Sequence, residues 1–107
     1  MKNFVQEGDR IQFTAGADLA SGAGVKIGVR FGVCVAAVLS GALGIAAMEG
    51  VFTIPKLSTD VVAIGVLLYW DDTNKRLTTT ASGNTQAGYA FAAAGNGATT
   101  VDICINR

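Results

Sequence analysis

Val25-Lys26-Ile27-Gly28-Val29-Arg30-Phe31-Gly32-Val33-Cys34-Val35 alternates without a break. Every odd position is β-branched or aromatic and apolar, and every even position is Lys, Gly, Arg, Gly or Cys. Successive side chains of a strand point to opposite faces, whereas on a helix these apolar residues would be spread around the whole circumference. The spacing therefore predicts one long strand over Val25–Val35, with one face on a core, and Ala36-Ala37 ends the alternation.

Outward from that stretch the chain reads as more short strands between turns. Arg10-Ile11-Gln12-Phe13-Thr14 alternates, and Ala15 to Gly24 is a Gly-rich loop. The chain turns back through Leu43 and Ile45, and Gly50 to Lys56 is a further strand stopped by Pro55, which has no N–H for a ladder. Val61 to Trp70 is apolar on both parities, as in a strand buried on both faces; a helical turn over Ser58–Ile64, capped by Ser58 or Asp60, is the alternative. Asp71-Asp72-Thr73-Asn74-Lys75 is a turn joining a hairpin, because short acidic and amide side chains bond their own backbone. Ala81-Ser82-Gly83-Asn84 and Gly95-Asn96-Gly97 are further turns. Gln86–Ala94 and Thr99–Asn106 close the chain as strands, the latter with Val101, Ile103 and Ile105 facing inward. Many short strands with regular turn signals predict a small all-β barrel or sandwich. The expected organisation is an extended N-terminal arm over 1–9, with Phe4 and Val5 its only large apolar residues, followed by a single β domain over 10–107 with no internal repeat.

Composition limits the function. The chain has 107 residues, enough for one ordinary core, with 50% hydrophobic and 15% charged residues, and 14 Gly against one Pro. Lys plus Arg and Asp plus Glu are 8 each, so no strong field points to nucleic acid or an anionic membrane. Histidine is absent, which removes the commonest general base and transition-metal ligand. Cys34 and Cys104 are expected as free thiols of a cytosolically made protein. The charge-free run from Phe31 to Met48 is interrupted by Gly32, Ser40, Gly41 and Gly44 and is no membrane span; Met1–Glu7 does not read as a signal peptide.

No reaction is written in the chain. There is no Gly-Lys pair for a phosphate loop, and Gly22-Ala23-Gly24 precedes a strand rather than a helix, the wrong order for a dinucleotide fingerprint. Asp71-Asp72 is the one adjacent carboxylate pair, and turn chemistry accounts for it. No serine sits in a nucleophile elbow. Catalytic residues, cofactors and metals are therefore not expected. Lys75-Arg76 beside Tyr69 and Trp70, with Tyr89, leaves a β-barrel module for single-stranded nucleic acid or oligosaccharide as the second reading.

Several segments in order resemble the small capsid decoration, or cement, proteins of tailed bacteriophages and prophages. They are Lys2-Asn3-Phe4-Val5-Gln6-Glu7-Gly8-Asp9, Ser21-Gly22 leading to Val25 and Gly28, Phe31-Gly32-Val33, and Gly50-Val51-Phe52-Thr53-Ile54-Pro55-Lys56. Gly65 to Tyr69-Trp70-Asp71, Lys75 to Leu77-Thr78, and Gly83-Asn84-Thr85 to Gly88 complete the set. Two departures are Val66, where an acidic residue is frequent, and the nearly charge-free Ala37–Met48. The resemblance implies a β-barrel-like or β-tulip domain, self-associated with a trimer favoured, on the capsid exterior of the virion after synthesis in the bacterial host cytoplasm. Its implied partner is the major capsid protein, and its role is to hold neighbouring capsid subunits together. No membrane and no direct nucleic-acid contact are expected. Phe4, Val5, Leu39, Leu43, Tyr69 and Trp70 are the expected capsid or subunit contacts.

Overall fold

The computed structural model describes residues 8–106. They form nine strands and no helix: β1 Arg10–Thr14, β2 Gly24–Ile27, β3 Arg30–Cys34, β4 Leu43–Ala47, β5 Val51–Pro55, β6 Leu67–Asp71, β7 Arg76–Thr78, β8 Thr85–Ala90 and β9 Thr100–Ile105. Their pairings make two antiparallel sheets, ordered β1-β4-β3-β2 and β5-β9-β8-β6-β7. The fold is all-β. The arm residues Phe4 and Val5 lie outside the described residues.

The stretch that opened the sequence is two strands, not one. Ile27 pairs with Arg30 around a Gly28-Val29 loop, and Gly28 has φ 61°. A glycine with positive φ at the first loop position is the requirement of a two-residue hairpin whose twist matches its strands. A loop of two residues keeps the apolar alternation in step, so the pattern runs through the turn unmarked. The side chains do not keep their face, however. Lys26 lies opposite Phe31 and Gly24 opposite Val33, so Val25 and Ile27 point to the other side of the sheet from Phe31 and Val33.

The expected barrel is also corrected. The five-stranded sheet curls until its edges touch, but only at one parallel bridge between Lys56 and Leu77, with Leu57 N–H donating to the Leu77 carbonyl at 2.8 Å. Lys56, buried, donates through Nζ to the Leu57 and Asp60 carbonyls at 3.0 and 2.7 Å. The Asp60 carboxylate accepts from Thr78 Oγ1 and Thr79 N–H, tying this loop to β7. Residues 57–66 are therefore loop rather than the predicted strand or helical turn, and only Leu67 onward is ladder.

The core lies between the sheets. Phe31 and Val33 of β3 pack on Ile54, Leu68, Trp70, Leu77, Ala90, Val101, Ile103 and Ile105 of the five-stranded sheet. Phe31 and Trp70 meet with ring centroids 5.0 Å apart at 46°. Burial of side chains of this size is worth roughly 1.5–3 kcal/mol each. At the C-terminal end, Asn106 Nδ2 donates to the Phe31 and Met48 carbonyls at 2.8 and 2.7 Å, joining the last strand to the other sheet.

The chain has an internal repeat, against the sequence expectation. Strand order β1-β4-β3-β2 is reproduced by β5-β9-β8-β6, with β7 as the one addition. Leu19 bridges Val38 as Val62 bridges Ala94. Gly22 N–H donates to the Cys34 carbonyl and Cys34 N–H to the Ala23 carbonyl; Gly65 does so to Ala90, and Ala90 to Val66. Gly41 donates to Ala15 as Gly97 does to Ser58. The turns before the matching strands each carry a glycine of positive φ, at 85° for Gly22, Gly41 and Gly65 and 95° for Gly97, as a type II turn requires. Because Gly32 opposes Val25 as Gly88 opposes Leu68, and Cys34 opposes Ala46 as Ala90 opposes Ile103, residue-by-residue counterparts can be named.

Candidate interaction surface

The described residues contain no group of three or more His, Cys, Asp or Glu able to hold a metal, and no helix long and apolar enough to cross a membrane. The chemistry on view is turn chemistry. Asp71 Oδ1 accepts from Thr73 and Asn74 N–H and Oδ2 from Asn74 Nδ2, and these bonds, the Asn74 side chain first, hold its carboxyl below the usual range. Asp72 Oδ1 accepts from Lys75 Nζ at 2.8 Å and Trp70 Nε1 at 3.0 Å. The Lys75 bond chiefly lowers its carboxyl pKa, against burial, which works the other way. Both cysteines are free; burial pushes the Cys34 thiol up, away from the reactive thiolate.

Besides Val29, Val61 and Ile64 in loops and Ile11 on β1, the surface offers exposed apolar area in two places. One is the overhang of the four-stranded sheet, where β4 runs on with Leu43 and Ile45 on the same face as Ala47. Leu43 is 66% exposed and Ile45 49%; Val35, whose N–H donates to the Ile45 carbonyl, lies beside them, and Leu39, 70% exposed, stands in the turn just before. An open groove of about 500 Å³ between the sheets, lined by Asp9, Arg10, Val35, Ala47, Glu49, Gly50 and Phe52, flanks this overhang.

The second place is the outer face of the five-stranded sheet. Leu67 opposes Tyr89, Tyr89 opposes Cys104, and Cys104 opposes Val51, so one row of side chains crosses four strands on one face. Leu67 and Val51 are exposed, with Phe91 beside the row, while Tyr89 and Cys104 are half-buried.

The expected contact residues are thus separated. Leu39 and Leu43 share the overhang, Tyr69 is half-buried on the outer face of the other sheet, and Phe4 and Val5 fall outside the described residues. Trp70 is 2% exposed and belongs to the core, so it has no surface to give a partner. Its position at the end of β6 could not reveal this, since the tryptophan is covered by Phe31 from the other sheet. The aromatic trio of the second reading is divided accordingly: Trp70 points inward, and Tyr69 and Tyr89 point outward. Sequence reasoning missed the outer row, whose members come from four separate strands. It also missed Ile45 and Val35; the former is marked only by sharing parity with Leu43.

Fold and surface define a small two-sheet β module that presents area rather than a reactive group. The chain belongs to the phage cement protein family, whose model matches residues 5–105. That membership implies a structural, capsid-associated role in the virion, not catalysis. No curated protein and no solved structure matches it significantly.

Proposed function

We propose that this protein binds the outside of a phage head and stabilises contacts between neighbouring major capsid subunits, acting as a self-associated unit, most simply a trimer. It is made in the host cytoplasm and joins the matured head. The observation that carries this reading, beside family membership, is the exposed apolar overhang of Leu39, Leu43 and Ile45 on a chain with few charges. Exposed apolar groups clustered at one edge of a small domain favour a protein partner over solvent. The arm 1–9 precedes β1, an edge strand of the same sheet, and is proposed to add contact by extending along a capsid sheet edge.

Co-sedimentation with heads purified without the protein tests the reading. Wild-type protein should pellet saturably, and Leu43→Asp should weaken binding by about tenfold or more while leaving the melting profile unchanged. Failure of the folded wild type to pellet would reject the proposal.

A further inference from the structure

The internal repeat shows how one of these sheets stacks on another. Within the chain, the near face of the first half, carrying Phe31 and Val33, covers the inner face of the second half, carrying Leu68, Trp70, Ala90 and Ile103. The opposite, far face of the first half is the counterpart of that inner face. Val25, Cys34, Ala46 and Ile11 stand there where Leu68, Ala90, Ile103 and Phe52 stand in the second half. The accessible part of this far face is its outer layer of side chains: Ile11 is exposed and Phe13, Val25, Ile27 and Met48 are half-buried, while Gly32, Cys34, Gly44 and Ala46 are buried beneath Phe13, Val38 and Met48. The outer face of the second half is in turn the counterpart of the covering face. Val33 opposes Ala47 as Tyr89 opposes Cys104, so Tyr89 stands where Val33 does. The chain therefore carries a bed-like face on one side and a cover-like face on the other.

We propose that the outer face of the five-stranded sheet of one copy stacks on the far face of the four-stranded sheet of a second copy, head to tail, repeating between molecules the contact already made within each. Apolar character favours this pairing: the bed offers Ile11 with half-buried Phe13, Val25, Ile27 and Met48, and the cover carries Leu67, Tyr89, Val51 and Phe91. Charge favours it too: Arg30, exposed and on the same face as Gly32 and Cys34, stands at the end of the bed in a groove that Ile11 and Met48 also line. On the cover, Asp102 lies beside the apolar row, opposite Thr53, whose Oγ1 donates to Asp102 Oδ1.

Contacts between two different patches are heterologous, and they close into rings or run on as filaments. The inference deepens the self-association part of the proposed function and says nothing of which surface meets the capsid. Head binding and oligomer mass are separate readouts, so either can fail alone.

The test is complementation by mass. Ile11→Asp spoils the bed and Leu67→Asp spoils the cover; each position is already exposed, and circular dichroism and melting check the fold. Ile11→Gln and Leu67→Gln serve if an Asp variant does not fold. Light scattering during size exclusion at micromolar concentration should find the wild type associated. Each single variant should be monomeric, its self-affinity weakened by about a hundredfold, as burial of an unpaired charge demands. A one-to-one mixture of the two should give a heterodimer, because one intact bed then meets one intact cover. A monomeric wild type, variants that keep wild-type mass, or a mixture that stays monomeric would each overturn the proposal.

Discussion

A β-carbon added to Gly24 would sit 2.8 Å from Trp70 Cη2 and 2.8 Å from Phe31 Cε1, so the stacking of the two sheets depends on a missing side chain in β2. Both rings belong to the core, and no flexible side-chain end stands in the way. Gly24→Ala should therefore destabilise the fold by about 1–3 kcal/mol through overpacking. Chemical denaturation measures it. A neutral result would mean that the sheets slide apart at no cost.

Trp70→Ala should cost roughly 3–5 kcal/mol, the usual loss for deleting a buried large aromatic. Because Trp70 is 2% exposed, the affinity of the remaining folded protein for heads should not change. Urea melts and co-sedimentation on the same preparation separate the two effects.

Asn106 adopts φ 57° and donates to two carbonyls from the other half of the molecule, Phe31 and Met48. Asn106→Ala leaves both acceptors without this donor and puts Ala, which tolerates left-handed backbone less well than Asn, at φ 57°. The expected loss is about 1–3 kcal/mol in the urea midpoint analysis. Asn106→Gly, which keeps the backbone freedom but not the amide, should recover only part of it.

The Asp72 carboxyl, held below its ordinary range first by Lys75 and then also by Trp70 Nε1, makes stability depend on acid. A depressed folded-state pKa gives stabilisation that is present above the unfolded value, about 3.9, and is lost as pH falls through the lower folded value. The melting temperature of wild type should exceed that of Asp72→Asn near neutrality, and the gap should shrink below about pH 4. A gap that persisted unchanged into acid would assign the effect to packing.

How much of this was legible in the sequence varies by element. β1 has the bounds read from its alternation, and the Asp71–Lys75 turn is where its side-chain chemistry puts it. The inward parity of Val101, Ile103 and Ile105 holds because β9 is an internal strand of a sheet with a single core face. The hairpin at Gly28 was hidden because a two-residue loop leaves the alternation in phase. Val61–Val66 misled because an apolar run has no period, and here Val62 anchors a loop while Val61 and Ile64 face outward. The repeat is carried by backbone bonds and turn glycines, while the side chains at counterpart positions differ, Ala46 against Ile103 and Cys34 against Ala90. Of the expected contacts, Leu39 and Leu43 lie exposed on one overhang, whereas the burial of Trp70 needed the other sheet to be seen.

The capsid role is tested most directly by resistance of heads to disruption. Heads assembled without the protein, then saturated with it, are heated or titrated with denaturant while release of their contents is followed. Decorated heads should withstand higher temperature or denaturant than bare ones, with the gain tracking occupancy and falling away with Leu43→Asp. Saturated heads that break at the same point as bare heads would contradict the account.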